Sequence, residues 1–222
     1  MKDYLDYDGL AVMAHRGGSL EAPENTIESF KYALEIGSDI IETDIQLSSD
    51  GIPYIFHDDD LKRIPGIEKN FNELLASEID ELNIFDDYKI PTLEETLKQF
   101  PNTKFQIDFK TDEVVDPAIE IINKLPHIKK NLCVASFSSQ RLQKIKSKLS
   151  DVTYSMGPHE VLKLLLKSFG IYRGEISGDC LQIPIYRYGI KIVTQRFVDF
   201  CKRENIKICL LYTSDAADET CR

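Results

Sequence analysis

The 222-residue chain contains no tryptophan, no C-x-x-C pair and no apolar run near the roughly 20 residues of a membrane span. It also lacks the glycine-rich fingerprints of dinucleotide-binding and P-loop proteins. Acidic residues outnumber basic ones by 37 to 27, and the net charge of −10 argues against a nucleic-acid partner. The five scattered cysteines argue against a zinc site or a disulfide framework, and they predict reduced thiols in a cytoplasmic protein. The polar N-terminus has no apolar segment of the kind that forms a secretory signal.

Short apolar segments alternate with amphipathic segments along the chain. We predict strands at residues 12–14, 39–45, 104–110, 132–136, 152–156, 180–184 and 206–211. Helical spacing of apolar residues between these segments indicates parallel βαβ units. Polar residues follow several of the strands, and this pattern favours a (β/α)8 TIM barrel whose site lies at the carboxyl ends of the strands. The chain accounts for about seven of the strands, and the periodic pattern loosens at about residues 61–89 after the second strand.

Charged side chains and histidines concentrate at the ends of the first predicted strands. His15 and Arg16 follow the first strand directly, and His57 follows a short apolar segment at residues 53–56. Glu42 and Asp44 are two residues apart in a strand, so both side chains leave the same face. Histidines near neutral pH and paired carboxylates are the groups that acid–base catalysis and metal binding use.

A helix follows the first strand. Asn25 is a suitable N-cap, Ile27, Phe30 and Leu34 form one apolar face, and Gly37 stands where a C-terminal glycine belongs. We therefore predict that Asn25 acts as a helix cap only. The two glycines at residues 17–18 fit either a tight turn or a close approach of the backbone to a ligand.

The third strand adds one more carboxylate and one cation. Asp108 and Lys110 are again two residues apart and share a face. Glu42, Asp44 and Asp108 would meet at one edge of a parallel sheet, where three anionic groups repel unless a cation is present. Oxygen ligands suit a hard divalent ion, Mg²⁺ or Ca²⁺. The alternative is that each carboxylate is a solvated acid at a strand end.

Five short motifs occur in a fixed order: HRG at 15–17, PENT at 23–26, ETD at 42–44, DG at 50–51 and HD at 57–58. Their order and spacing resemble the glycerophosphodiester phosphodiesterases, and the resemblance extends over roughly residues 11–208, including the segment IPTLEE at 90–95. It implies the same TIM-barrel fold, with a small insertion at about residues 61–89 after the second strand. It also implies a metal-dependent hydrolysis of glycerophosphodiesters to sn-glycerol 3-phosphate and an alcohol.

The resemblance also implies a role for each of seven residues. Its metal ligands are Glu42, Asp44 and Asp108, although the family usually has a glutamate at the last of these positions. Its general acid and base are His15 and His57, and its phosphate-binding residues are Arg16 and Lys110. We assign no role to His127 and His159, and Gln182 is a further candidate to face the site.

Two other functions stay open at this level. A lysophospholipase D-like phosphodiesterase would need an apolar groove for an acyl chain, and the small insertion offers little material for one. A non-catalytic barrel that binds phosphodiesters is the second alternative. The headgroup alcohol, the choice between Mg²⁺ and Ca²⁺, the attacking group (water or the glycerol 2-hydroxyl) and the oligomeric state are left open.

The C-terminal residues depart from the family pattern. Family members continue with a Trp-Thr-x-Asn motif and a further βα unit, whereas residues 209–222 contain neither. This ending resembles translated adapter sequence. We therefore expect the native frame to end near Ile208, with a barrel domain at residues 1–208 and a non-native tail at residues 209–222.

Overall fold

The computed structural model describes residues 3–7, 9–18, 22–63, 67–84, 87–187 and 189–211, and the chain divides into two compact units, 1–152 and 153–222. The strands of the first unit are β1 (Met13–His15), β2 (Ile40–Leu47), β3 (Pro53–Ile55), β4 (Lys104–Phe109) and β5 (Leu132–Ala135). Its α-helices are α1 (Ile27–Glu35), α2 (Ala76–Glu81), α3 (Leu93–Gln99), α4 (Val115–Lys124) and α5 (Ser139–Lys148). Three short 3₁₀ helices span Asp3–Leu5, Phe71–Glu73 and Pro126–Asn131.

Strand β2 lies at the centre of the sheet in the first unit. It pairs in parallel with β1 and with β4, and β5 pairs in parallel with β4, whereas β3 runs antiparallel to β2. Seven of the eight residues of β2 are buried, as expected for a parallel strand covered on both faces. Parallel strands alternating with helices confirm the predicted α/β class. Because β1, β2 and β4 run in parallel, their carboxyl ends meet at one edge.

The predicted assignment of Asn25 as the N-cap of α1 is wrong. Thr26 is the N-cap of α1, and its hydroxyl accepts a hydrogen bond from Ser29 N at 3.1 Å. Asn25 instead has a positive φ of 59° and lies just before the cap. Thr92 and Ser138 are the N-caps of α3 and α5, and the hydroxyl group of each accepts a hydrogen bond from the first turn of its helix.

The segment that we predicted as an insertion has an apolar core of its own. Leu61, Phe71, Leu74 and Ile79 are buried there together with Phe56 from the end of β3. The rings of Phe56 and Phe71 stack with centroids 4.8 Å apart. Phe56, the residue that precedes His57, is therefore packed against the apolar core of the insertion.

The second unit contains the remaining elements. They are β6 (Thr153–Tyr154), α6 (Pro158–Ser168), β7 (Cys180–Pro184), β8 (Tyr186–Arg187), β9 (Ile190–Lys191), α7 (Gln195–Arg203) and β10 (Lys207–Leu211). Strand β10 pairs in parallel with β7, and β8 and β9 form an antiparallel pair that the sequence did not predict.

The seventh predicted strand is present as β10 and continues through Leu211. The first three residues of the expected non-native tail, 209–211, therefore belong to a paired strand. Residues 212–222 lie outside the described part of the chain, and the domain boundaries stay a prediction. Within the described part, none of the helices has the length and apolar character needed to span a membrane.

Candidate active site

All seven predicted site residues belong to the first unit. Glu42 and Asp44 lie within β2, Asp108 is the penultimate residue of β4, and the other four lie at or just beyond the ends of β1, β3 and β4. His15 ends β1, and the register of the sheet places it opposite Glu42 of β2. The His15 Nε2 atom is 3.8 Å from Glu42 Oε2. The first histidine and the first carboxylate of the site are therefore neighbours in the structure.

The carboxylates of Asp44 and Asp108 are held together by one ammonium group, that of Lys110. Asp44 of β2 and Asp108 of β4 are register partners, and they are only 1% and 4% exposed. Lys110 follows β4, and its Nζ atom lies 2.8 Å from Asp44 Oδ1 and 3.0 Å from Asp108 Oδ2. The lysine thus bridges the two carboxylates.

The charges of this cluster stabilise one another. Burial favours the neutral form of Asp44, but Lys110, His57 and Arg16 together outweigh it and lower the pKa of the carboxyl group. Burial opposes the charge of Lys110 as well, yet Asp108 and Asp44 raise the pKa of its ammonium group far above the ordinary value. Both groups are therefore ionised at neutral pH.

Arg16 adopts a left-handed backbone conformation, with φ at 52°, at the turn after β1. Its backbone N–H donates to Glu42 Oε2 at 3.2 Å. Its side chain is 8% exposed, with Nη1 3.3 Å from Glu24 Oε1 and Nε 3.4 Å from Asp44 Oδ2. One residue thereby contacts carboxylates on β2 and on the loop that precedes α1.

The glycine that follows Arg16 is needed for packing against a helix. Gly17 has a φ of 76°, and a Cβ atom there would lie 2.5 Å from Ser29 Oγ and 2.6 Å from Phe30 Cδ1. The Gly17 N–H closes a turn onto Ala14 O at 3.3 Å. Of the two predicted explanations for this glycine, the structure therefore supports the tight turn, which brings the loop close to α1.

His57 lies two residues after β3 and next to the same cluster. The N–H of Phe56 donates to Asp44 O at 3.0 Å, which ties the strand end to β2. The Nδ1 atom of His57 is 2.7 Å from Asp58 Oδ1. Gln46 Nε2 donates to the backbone oxygens of His57 and Asp58 at 3.4 and 3.2 Å, and so fixes the backbone of this loop.

Several residues of the cluster were missed at the sequence level. Asn25 donates from Nδ2 to Asp44 Oδ2 at 3.4 Å and accepts from Thr43 Oγ1 at 2.8 Å, so it orients a site carboxylate in addition to standing near a helix start. Glu24 and Gln46 were also missed. Membership of Asn25 and Glu24 in the PENT motif was the one available signal.

The other two histidines of the chain, and the further candidate Gln182, lie outside this cluster. His127 is part of the 3₁₀ helix Pro126–Asn131, and His159 is in the first turn of α6. Gln182 is on β7 in the second unit, and its role stays a prediction.

The cluster has the donor chemistry for a divalent cation. Glu42, Asp44 and Asp108 supply buried carboxylate oxygens, and the Oδ1 atom of Asp108 is buried with no hydrogen-bond partner among the described residues. However, no group of three acidic, histidine or cysteine side chains in the described part of the chain is placed to hold a metal ion. The Lys110 ammonium group contacts two of the three carboxylates instead.

Comparison with known proteins identifies the family. The sequence model of the glycerophosphoryl diester phosphodiesterase family matches residues 15–222. The glycerophosphodiester phosphodiesterase of Caldanaerobacter subterraneus subsp. tengcongensis is 28% identical over 210 residues, which cover 89% of this chain and 83% of that protein.

Solved structures show the same relationship. A glycerophosphodiester phosphodiesterase from Thermotoga maritima is 26% identical with a TM-score of 0.72, and the match covers 96% of this chain and 89% of that one. A phosphodiesterase from Oleispira antarctica, solved in complex with the product sn-glycerol-3-phosphate, is 23% identical with a TM-score of 0.74 and coverages of 94% and 86%. These likenesses confirm the predicted TIM-barrel fold class. The chain belongs to the glycerophosphodiester phosphodiesterase family and is an enzyme of the phosphoric diester hydrolase class.

Proposed function

We propose that the enzyme hydrolyses glycerophosphodiesters to sn-glycerol 3-phosphate and an alcohol, with a divalent cation, Mg²⁺ or Ca²⁺, and with His15 and His57 as general acid and base. The observation that carries the proposal is an excess of carboxylates, three of them buried, beside two histidines and two cations. Four carboxylates (Glu24, Glu42, Asp44 and Asp108) accompany the two cations Arg16 and Lys110. A phosphodiester anion would be repelled by that excess unless a bound cation offset it.

The carboxylates Glu42, Asp44 and Asp108 are the proposed ligands of the cation. When bound, the cation would polarise a phosphate oxygen and stabilise negative charge in the transition state. The unpartnered Asp108 Oδ1 atom supports this assignment, because a buried carboxylate oxygen without a partner is otherwise unfavourable.

Arg16 and Lys110 are the proposed phosphate-binding residues. Arg16 presents a planar fork of donors and Lys110 a point charge, and both suit the non-bridging oxygens of a phosphodiester. Their contacts with Asp44 hold both groups on the same side of β2 before substrate arrives. Such preorganised charges stabilise the transition state without a reorganisation of the protein during the reaction.

The two histidines are the proposed proton carriers. One takes a proton from the attacking group, which is water or the glycerol 2-hydroxyl, and the other gives a proton to the alkoxide that leaves phosphorus. His15 is held at Glu42, and His57 adjoins Asp44 closely enough to lower the pKa of that carboxyl group. The carboxylate cluster therefore has a histidine near each end.

A substrate panel tests this function. Purified protein with Mg²⁺ or Ca²⁺ should release sn-glycerol 3-phosphate from glycerophosphocholine and glycerophosphoethanolamine, measured with a coupled glycerol 3-phosphate dehydrogenase assay. Faster release of choline from lysophosphatidylcholine than from glycerophosphocholine would instead support the lysophospholipase D alternative; free choline is measured here, because the other product of the lysophospholipid is lysophosphatidic acid. Binding of both compounds without turnover of either would support a non-catalytic barrel.

Two perturbations separate the parts of the mechanism. Excess EDTA should abolish hydrolysis, and Glu42→Ala should not regain activity at ordinary metal concentrations; full activity in EDTA would refute the metal requirement. His15→Ala and His57→Ala should each lower kcat by about 10²–10⁴-fold with the fold retained. His127→Ala is the matched control, because this histidine lies outside the cluster, and the kcat of this variant should equal that of the parent.

The proposed substrate is a small molecule, and the proposed location, on the cysteine usage of the sequence, is the cytoplasm.

A further inference from the structure

Arg63 is a feature that neither the motifs nor the proposed reaction includes. Its guanidinium group contacts two carboxylates that belong to different loops. The Nη2 atom donates to Glu24 Oε1 at 2.6 Å, and the Nε atom donates to Asp58 Oδ2. Glu24 lies between β1 and α1, whereas Asp58 follows β3, so a single side chain joins two loops that are 34 residues apart in sequence.

Each of the two carboxylates holds one of the proposed site residues. Asp58 uses its other oxygen, Oδ1, to contact His57 Nδ1 at 2.7 Å. Glu24 accepts from Arg16 Nη1 at 3.3 Å with both of its oxygens. A chain of alternating charges therefore runs from the Arg16 guanidinium group to the His57 ring, and Arg63 is its central member.

The contact with Asp58 determines which nitrogen of His57 carries the proton. Burial favours the neutral form of Asp58, but the hydrogen bond from His57 and the charge of Arg63 lower the pKa of the carboxyl group to about 2. At neutral pH the group is therefore ionised and can only accept hydrogen bonds. The Nδ1 atom of His57 must then be the donor, which leaves Nε2 of a neutral ring with the lone pair that a general base requires.

The backbone beside Arg63 is anchored although the side chain itself is half exposed. Leu61, two residues earlier, is fully buried in the apolar core of the insertion. Its N–H donates to Lys69 O at 3.0 Å, and Phe71 N–H donates to Asp59 O at 2.9 Å. Because an exposed ion pair contributes little to stability, the rigid fork of Arg63 is better suited to orienting its partners than to holding the fold.

We propose that Arg63 is a positioning residue that orients the His57 ring through Asp58 and the Arg16 guanidinium group through Glu24. The proposal rests on the function proposed above in one respect, since it assigns the two oriented residues their roles in catalysis. It gives the insertion a function, because the apolar core of that segment places Arg63 between the two loops.

The test compares Arg63→Gln with Lys62→Gln. Lys62 is the neighbouring cation, is 71% exposed and pairs with Asp60 at 2.6 Å, so its loss removes the same charge without touching the site. Imidazole nitrogens are labelled with ¹⁵N, the tautomer is read from long-range ¹H–¹⁵N spectra at alkaline pH, and the spectrum of His57→Gln assigns the signal. Turnover of glycerophosphocholine supplies kcat and KM for the same proteins.

We expect His57 of the parent and of Lys62→Gln to carry its proton on Nδ1, and kcat of these two proteins to be equal. Asp58 stays ionised in Arg63→Gln, but its carboxylate is no longer held by the guanidinium group against the His57 ring. The fraction of His57 that carries its proton on Nδ1 should therefore fall, and kcat should fall by about 10- to 100-fold, the usual effect of removing an orienting partner. Asp58→Asn, the second variant, should also lose the Nδ1–H tautomer, because an amide can donate to Nδ1. Glu24→Gln should mainly raise KM, since Glu24 acts through Arg16.

Two results would overturn the proposal: a kcat of Arg63→Gln within twofold of the parent, or a parent-like His57 tautomer in that variant. Failure of the proposed function gives a different result, because the parent itself would then release no glycerol 3-phosphate. In that case the spectra of the parent, Arg63→Gln and Lys62→Gln still decide whether Arg63 orients His57.

Discussion

Replacement of Lys110 by methionine removes the ammonium group between two buried carboxylates and keeps most of the apolar stem. In the parent, the Nζ atom is 2.8 Å from Asp44 and 3.0 Å from Asp108, and the lysine side chain is 14% exposed. The variant therefore leaves two adjacent carboxylates without their shared counter-charge. We expect a large loss in the free energy of unfolding when no divalent cation is present.

The magnitude follows from the distances and from the burial. Unit charges 3 Å apart interact by about 5–6 kcal/mol at an effective dielectric constant of roughly 20. Desolvation of the lysine offsets part of that attraction, and the removal of one partner from a buried ion pair usually destabilises a protein by about 3–5 kcal/mol. We expect a loss in that range for Lys110→Met.

The assay is urea unfolding in EDTA, so that divalent cations do not contribute. The matched control is Lys98→Met, which makes the same substitution in an exposed pair on α3, with Nζ 2.7 Å from Glu94. Helical pairs of this kind contribute about 0.2–0.5 kcal/mol. A loss for Lys110→Met of 1 kcal/mol or less would refute the reasoning, since it would show that the ammonium group does not compensate buried charge.

Three further predictions concern single residues. Gly17→Ala should lower the free energy of unfolding by about 2–4 kcal/mol, because it adds left-handed backbone strain and a Cβ atom 2.6 Å from the Phe30 ring. The control Gly51→Ala, with a φ of 90° and open space around the added Cβ atom, should lower it by about 1 kcal/mol. Equal losses of the two variants in urea unfolding would contradict the clash at residue 17. Asp108→Glu should preserve or tighten Mg²⁺ binding in calorimetric titrations and Asp108→Asn should weaken it, whereas two titrations equal to the parent would remove Asp108 from the ligand set. The pKa of Asp58 is lowered to about 2, so its stabilising effect is complete above the ordinary value of 3.8 and is lost as the pH falls toward 2. Acid unfolding of Asp58→Asn should therefore lack about 1–2 kcal/mol of the stability that the parent loses over that interval, and identical acid dependence would contradict the role of this carboxylate.

The site residues on β2 and at the end of β4 were predictable because they follow from local rules. Side chains alternate along a strand, so the spacing of Glu42 and Asp44 and that of Asp108 and Lys110 imply shared faces. Parallel strands then bring their ends together at one edge. The helix starts at Thr92 and Ser138 were predictable for the same reason, since capping depends on the few residues that follow the cap.

Contacts that depend on tertiary pairing were not predictable. The register that sets Asp44 opposite Asp108, and the ammonium group that joins them, arise from the pairing of β2 with β4. Asn25 has a positive φ, and the N-cap of α1 is the next residue, Thr26. The side-chain amide of Asn25 donates to Asp44 instead of capping the helix. A motif marks these positions without stating which of them caps and which one orients a carboxylate.

The Arg63 contacts show the same limit at longer range. Its two partners lie 39 and 5 residues away in sequence, and one of them becomes a neighbour only after the sheet has formed. An exposed arginine in a polar segment gives no local signal of this placement. The half-exposed guanidinium group is recognisable as part of the site only from the carboxylates on either side of it.

The central claim is that this cluster cleaves a phosphodiester at the bond to the headgroup alcohol. A ³¹P NMR time course of glycerophosphocholine with the purified protein and Mg²⁺ or Ca²⁺ tests it most directly. With the parent protein we expect the diester resonance to be replaced by that of sn-glycerol 3-phosphate. In EDTA, or with His57→Ala in place of the parent, we expect the diester resonance to remain over the same time course. A diester resonance that persists with the parent protein and either cation, or that is replaced by choline phosphate, would contradict the account.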